Sequence, residues 1–446
     1  MTPGIYQKKI DSLVDYFKSG ESTDYKLGLE IEHFILNSNF EAVPYRGING
    51  IEGILKSLEK KGWEGIYENE NILGLKGKNA DISLEPGGQF ELSLYPLKSI
   101  KEINEVYNDF LYQITPIIET GEKILLAAGY QPVTKIKDIE LLPKKRYHYM
   151  YNYFKDKGKY AHNMMKGTAS IQLNLDYNSE EDFIKKMRVS YFLSPLIYFF
   201  FDNGPFFEGD IISHHNIRSV IWDNCDSDRC GLFESVFNED FSYEDYAEYV
   251  LNLPAIITMK SGNLIYTGKQ LIKDIYDPLN FTDKETEHLL TMAFPDVRLK
   301  KYIEIRMGDS LPYPYPISYV AFWQGLLYNP QVLAKLNKKA VKYTGEDINR
   351  IKNNIRENGL KSRDYGKPLL DFMIELLDMA SISLNEEESI YLDFLREMVI
   401  NNVLPKNKTL NQYNKSRNKI SSLQWCKVQK GGYRCPKKCT INSTNL

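Results

Sequence analysis

In the stretch LGLEIEHFIL, residues 27 to 36, Leu29, Ile31 and Ile35 fall on one face of an extended chain and Glu30 and Glu32 on the other. The same two-residue period predicts strands near 82–95, 168–177, 214–222 and 298–307. In ISLEPGGQFELSL, Leu84, Phe90, Leu92 and Leu94 share one parity, while Ser83, Glu85, Gln89, Glu91 and Ser93 share the other. Gly87 and Gly88 stand between the glutamates, where a bulge or a close backbone approach is expected. In TASIQLNLDY, Gln172, Asn174 and Asp176 oppose Ile171, Leu173 and Leu175. In RLKKYIEIRMGD, Glu304 and Arg306 oppose Ile303, Ile305 and Met307.

Helical spacing fills the intervals, at 5–19, 50–61, 99–128 and 180–201, and returns over about 332–403. The longest apolar run, YFLSPLIYFFF at 191–201, falls short of a membrane span, is broken by Pro195, and suits a buried helix. Two-faced strands differ from the all-apolar strands of a buried parallel sheet. They predict an α+β fold: a mostly antiparallel sheet with helices on one face and a polar second face. Periodicity fades after VLPKNKTLNQYNKSRNK. Residues 1–404 therefore read as one catalytic-sized domain, and 405–446 as an appendage whose composition fits disorder.

Charge sharpens that division. The formal net charge of −3 predicts neither nucleic acid nor a membrane surface as partner. From Leu404 onward there are ten Lys and Arg and no Asp or Glu, so the rest of the chain carries −13. The opening MTPGIYQKKIDSL lacks the order of a secretory signal, and five cysteines argue against a disulfide framework, so a cytoplasmic protein is expected.

A polar sheet face needs no function by itself. Yet here, if the strands share one sheet, its second face gathers Glu30, Glu32, Glu85, Glu91 and Glu304 with Gln172 and Arg306. Two carboxylates about 5 Å apart repel by roughly 3 kcal/mol at an effective dielectric near 20. Five together call for counter-charge, and carboxylate oxygens suit a hard divalent cation such as magnesium, manganese or calcium. Magnesium commonly bridges carboxylates to substrate phosphates, which points to a nucleotide site built without a phosphate loop. The glycine pair in GNLIYTGKQ (262–270) has the wrong spacing for such a loop, and DSDRCG (226–231) lacks the closing glutamate of a calcium loop. His33 lies on the apolar face and reads as a core residue; His214 and His215 lack a third zinc ligand.

The segments LGLEIEHF, DISLEPGGQFELSLYPL, TASIQLNLDYNSEEDFIKKMRVSYFLSPL, NGPFFEG, IRSVIWDNCDSDRCGLF and FPDVRLKKYIEIRMGDS resemble, in order, the motifs of the plant-type glutamate–cysteine ligase family. The resemblance implies a glutamine-synthetase-like fold, with a curved antiparallel sheet whose concave face holds metal ions, ATP and glutamate. It implies an ATP-dependent ligase joining the γ-carboxylate of glutamate to the amine of cysteine through a γ-glutamyl phosphate, the first step of glutathione biosynthesis. By the same resemblance Glu30, Glu32, Glu85, Glu91, Gln172 and Glu304 stand at metal-ligand positions, for Mg2+ or Mn2+. Arg306 stands at the transferring phosphoryl group, Arg218 at the α-carboxylate of glutamate, and Trp222 in the pocket wall. The turn LPYPYPISYV after RMGDS departs from the plant pattern, so another acceptor amine stays open. Two further classes also stay open: a glycosidase, which needs only two carboxylates, and a non-catalytic ion- or nucleotide-binding protein.

Overall fold

The computed structural model describes residues 2–47 and 49–428. Nine strands of one sheet organise it: β1 (Leu27–Leu36), β2 (Glu64–Glu68), β3 (Asn71–Lys76), β4 (Ala80–Leu84), β5 (Phe90–Leu94), β6 (Ile124–Leu126), β7 (Ser170–Leu175), β8 (Val297–Leu299) and β9 (Ile303–Asp309). Their spatial order is β8-β9-β7-β1-β5-β4-β3-β2, with β6 also beside β1, and every neighbouring pair is antiparallel. β1 and β5, which carry Glu30, Glu32 and Glu91, are thus central, with β7 and its Gln172 beside β1. This is the expected α+β architecture, an open sheet with an apolar and a polar face.

Leu29, Ile31, Leu92, Ile171, Leu173, Ile303 and Ile305 are fully buried on the apolar face. Each such side chain contributes roughly 1.5–3 kcal/mol on leaving water, so this face drives folding. Helices Ile100–Thr120, Glu180–Phe200 and Tyr315–Leu327 cover it. From Val189 to Phe200 the second of these helices is apolar nearly all round and accordingly buried, Pro195 included, while its charged first turns begin at the cap Ser179. The expected single-sided helix layer is incomplete, because three short helices roof the polar face: Lys145–Phe154, Ala161–Gly167 and Ile217–Asp223.

Several local expectations change. Residues 82–95 are two strands, β4 and β5, joined by a reversal at Glu85–Gln89, where Gly88 has φ +82°. A Cβ on Gly87 would lie 2.4 Å from the Lys166 carbonyl oxygen. The glycines therefore let the chain turn and pass under another helix. Partners Leu84↔Phe90 and Ser83↔Glu91 are separated by even numbers of residues, so the parity reading survives the turn. Residues 298–307 are likewise two strands, β8 and β9, paired Arg298↔Glu304. The helix expected over 99–128 stops at Thr120 and yields to β6. The strand expected at 214–222 is the helix Ile217–Asp223, since a seven-residue segment of mixed polarity is too short to carry a decisive period.

The expected appendage begins inside the packed body. Residues Pro405–Ser416 and Lys419–Ser422 are helical, and Lys427 bridges to Leu126. Leu423 and Cys426 are fully buried with Phe34, Phe40 and Leu126, apolar anchors sparse enough to escape a periodicity reading. Residues 429–446, with Cys435 and Cys439, lie outside the described residues. Among the described residues no helix is long and apolar enough to cross a membrane.

Candidate active site

A cavity of about 290 Å³ opens on the polar face, and all nine expected site residues line it: Glu30, Glu32, Glu85, Glu91, Gln172, Arg218, Trp222, Glu304 and Arg306. Register explains the convergence. Glu30 is opposite Gln172, and Glu32 is opposite Glu91. Glu85 stands at the start of the glycine turn, where Tyr147 reaches it at 3.4 Å while donating to the Leu84 carbonyl at 2.7 Å.

The glutamates fall into two electrostatic groups. Burial, then Glu91 and Glu85, pushes the Glu32 carboxyl up to about 8. Burial, then Glu304 and Glu91, pushes Glu30 up to about 7. Burial and then Glu85 push Glu91 up to about 7 as well. Their hydrogen-bond partners are neutral: the Ser170 N–H (2.7 Å) and Gln172 amide (3.2 Å) for Glu32, Asn174 (3.0 Å) for Glu30, and Ser83 (2.8 Å) and Ser93 (3.1 Å) for Glu91. Glu304 differs. Burial pushes it up too, but Arg298, Lys300 and Arg306 more than offset this and hold it well below the ordinary carboxylate range. Its oxygens lie 2.6, 3.6 and 3.1 Å from those three cations.

Gln172 joins the two groups. Its Oε1 accepts from Arg306 Nη1 at 2.5 Å, and its Nε2 donates to Glu32. Gln172 and Glu304, both expected as metal ligands, thus commit their oxygens to arginine. An amide oxygen is a poorer ligand than a carboxylate, and Arg298 already balances Glu304. Glu30, Glu32, Glu85 and Glu91 remain. Among the described residues no three acidic, His or Cys side chains already converge as a closed cage. Three of these carboxyls hold their protons tightly, first because they are buried and then because they repel one another, and Lys300, Arg218 and Lys144 offset this only in part. The donor set therefore fits a hard divalent cation.

From the helix Ile217–Asp223, Arg218 Nε and Nη2 donate to the Arg306 carbonyl at 3.2 and 3.0 Å. Among the described residues Arg218 Nη1 and Trp222 Nε1 are buried donors that find no acceptor. Both guanidiniums lie over the Trp222 ring, at 5.5 Å for Arg218 and 5.6 Å for Arg306. Arg306 sits at a bulge in β9, between Ile305↔Leu173 and Gly308↔Ile171.

Sequence reasoning missed Lys144, Arg146, Arg298 and Lys300, which also line the cavity. Arg298 and Lys300 share the parity of Glu304, and Lys144 and Arg146 belong to a basic run, PKKR. Attention to the acidic residues alone passed over them. The residues set aside fare as expected: His33 is fully buried, 3.1 Å from the Tyr107 hydroxyl and pushed down to about 4 by burial. Asp226 of DSDRCG is spent on buried Arg229 at 2.8 Å.

Comparison with known proteins places this site in a family. The family model described as Glutamate-cysteine ligase family 2 matches residues 26–392. The chain is 32% identical over 419 residues to the chloroplastic glutamate–cysteine ligase of Nicotiana tabacum, covering 90% of this chain and 79% of that one. It is 33% identical over 418 residues to the chloroplastic enzyme of Arabidopsis thaliana, covering 91% and 80%. In fold it is similar to a crystal structure of glutamate–cysteine ligase from Francisella tularensis in complex with AMP. The TM-score is 0.56 at 12% identity, covering 91% of this chain and 88% of that one. The plant relatives are named chloroplastic, which overturns the cytoplasmic expectation. An odd cysteine count separates oxidising from reducing surroundings and does not tell one reducing compartment from another. On this match over most of its length, the chain belongs to glutamate–cysteine ligase family 2.

Proposed function

We propose that the protein joins the γ-carboxylate of L-glutamate to the amine of L-cysteine with ATP as the driving substrate. The observation that carries the reading is one cavity in which buried glutamates of raised proton affinity face two arginines, Arg218 and Arg306. In the first step a γ-carboxylate oxygen attacks the γ-phosphorus of ATP, giving γ-glutamyl phosphate and ADP. In the second the amine attacks the acyl carbon and phosphate leaves.

The chain's own residues bind and align. Arg218 Nη1 and Trp222 Nε1, donors in need of an acceptor, receive the α-carboxylate of glutamate. Arg306, its Nη1 anchored by Gln172 and Glu304, presents a rigid fork to the transferring phosphoryl oxygens. The roof helices narrow the access of water, which competes with the amine for the acyl phosphate. Glu30, Glu32, Glu85 and Glu91 would hold Mg2+, with Mn2+ as the alternative. Such an ion, when bound, neutralises phosphate charge in the transition state.

ADP release with ATP and magnesium, with and without glutamate and across a panel of amines, tests the reading. Release that requires glutamate and is fastest with cysteine supports it. A different preferred amine would make the protein a related carboxylate–amine ligase, and no glutamate-dependent release would leave only a binding protein.

A further inference from the structure

Arg218 and Arg306 belong to different elements, yet both lead back to the dipeptide Asp202–Asn203. Asp202 Oδ2 accepts the backbone N–H of Asn216 at 2.8 Å, and Asn216 is the N-cap of the helix that carries Arg218. Asn216 holds a left-handed backbone, φ 60° and ψ 50°, a conformation that a neighbouring contact must secure. The Asn203 N–H donates to Asp309 Oδ2 at 2.8 Å, and its side-chain amide donates to the Ser310 carbonyl at 2.9 Å. Those bonds fasten the end of β9, just beyond Arg306.

Two side chains from the C-terminal segment close on this dipeptide. Lys406 Nζ lies 3.3 Å from Asp202 Oδ2 and also donates to the His214 carbonyl, and the Lys406 N–H donates to the Asp202 carbonyl at 3.0 Å. The Cys426 thiol donates to Asn203 Oδ1 at 3.8 Å. Lys406 and Asp202 are each only 2% exposed. A buried ion pair stabilises little relative to an apolar pair of the same volume, so stability alone does not account for it. What the pair does is fix an aspartate that in turn fixes the helix of Arg218.

We infer that Lys406 is a positioning residue for glutamate binding, acting through Asp202 and Asn216 on the guanidinium of Arg218. The inference rests on the assignment of Arg218 to the glutamate carboxylate. Arg218 has two nitrogens committed to the Arg306 carbonyl and one left for substrate, so a small displacement of its helix loses the contact. Residues 405–428 are then a strap across the elements that hold the substrate, not an appendage.

The test is steady-state kinetics of the full chain, with glutamate and ATP varied separately. Lys406→Met keeps the length of the side chain and removes its charge. It is expected to raise the glutamate KM about tenfold, short of the roughly hundredfold that a full ångström of misplacement can cost, while the ATP KM stays within about twofold. A purely structural role would lower melting temperature and active fraction but leave both KM values alone, and that result overturns the inference. Should Lys406→Met fail to fold, Lys406→Gln is read by the same criterion: a raised glutamate KM supports the inference, and an unchanged one overturns it. Arg218→Lys, measured in parallel, separates the two layers. An unchanged glutamate KM in Arg218→Lys removes the carboxylate assignment and the inference with it. A raised one beside an unaffected Lys406 variant removes the strap alone.

Discussion

Glu32 and Glu304 are the same residue type, on the same sheet face, on strands β1 and β9 with only β7 between them. Both are nearly or fully buried. One is pushed up to about 8 and the other held well below the usual range. Burial raises both; the neighbours decide. Around Glu304 the chain supplies its own cations, Arg298, Lys300 and Arg306. Around Glu32 it supplies more carboxylates and neutral donors, with Arg218 offsetting them only in part. The half that balances itself needs no charge from outside, and the other half is the one proposed above to take a cation.

The largest effect should come from breaking the balanced half. Arg298→Met leaves Glu304 buried beside only Lys300 and Arg306. Removing one partner of a buried ion pair typically costs about 3–5 kcal/mol, and the two remaining cations favour the lower end, about 3 kcal/mol. Urea unfolding at neutral pH measures it. A loss under about 1 kcal/mol would show that Lys300 and Arg306 hold the charge unaided and that the two halves differ less than described.

Glu32→Gln attacks the unbalanced half and should separate activity from stability. Deleting one candidate ligand is expected to lower turnover about a hundredfold or more, equivalent to roughly 2.7 kcal/mol. The metal-free protein should melt no lower at pH 8, and even higher, because the substitution removes an uncompensated buried charge. ADP release and a thermal melt on the same sample check both parts. Turnover near the parent value would remove Glu32 from the cation site.

The same group predicts how pH acts on the metal-free chain. Glu30, Glu32 and Glu91 titrate near 7 to 8 when folded and near the ordinary 4.5 when unfolded. Raised folded values mean their stabilising contribution is full below about pH 4.5 and lost as pH rises through 7 to 8. Between about pH 6 and pH 8.5, with EDTA, the melting temperature should fall on the order of 5 °C, at about 2 °C per kcal/mol for a long chain. Millimolar magnesium should restore the loss at the higher pH and do little at the lower, where protons occupy the ligands. A melt that magnesium leaves unmoved at both pH values would argue that these carboxylates bind no cation.

Much of this contrast was legible in the sequence, and its limits are physical. Parity alone put Glu30, Glu32, Glu91, Gln172 and Glu304 on one face, because alternation reports the side of a sheet whatever the strand order. It survived even the misreading of 82–95 as a single strand, since the glycine turn keeps Ser83 and Glu91 on one side. Alternation says nothing about which strands are neighbours, so the pairing of Arg298 with Glu304 was invisible. That pairing decides which glutamates are scaffold. Arg218 was legible only through family resemblance, because its segment, expected as a strand, is a helix. The C-terminal segment was misjudged for another reason. Its attachment depends on a few anchors, Lys406, Leu423 and Cys426, spaced too irregularly to raise a periodic signal.

Arg306 stands where the two halves meet, and its substitution should give the smallest of these effects. Its Nη1 donates to Glu304 of the balanced half at 3.1 Å and to Gln172, which hands on to Glu32, at 2.5 Å. Lysine would keep the positive charge beside Glu304, so stability should scarcely change. A single ammonium lacks the planar fork that can hold Gln172 and Glu304 on one side and phosphate oxygens on the other. Arg306→Lys is therefore expected to lower turnover about tenfold, roughly 1.4 kcal/mol of transition-state stabilisation, with little change in the KM for ATP. Equal turnover in the two proteins would mean that Arg306 serves Glu304 as a counter-charge and nothing more. A matched rise in the ATP KM without loss of turnover would place its contact in the ground state. Only a fall in turnover alone puts the guanidinium against the phosphoryl group as it transfers, with each half of the cavity holding one side of it.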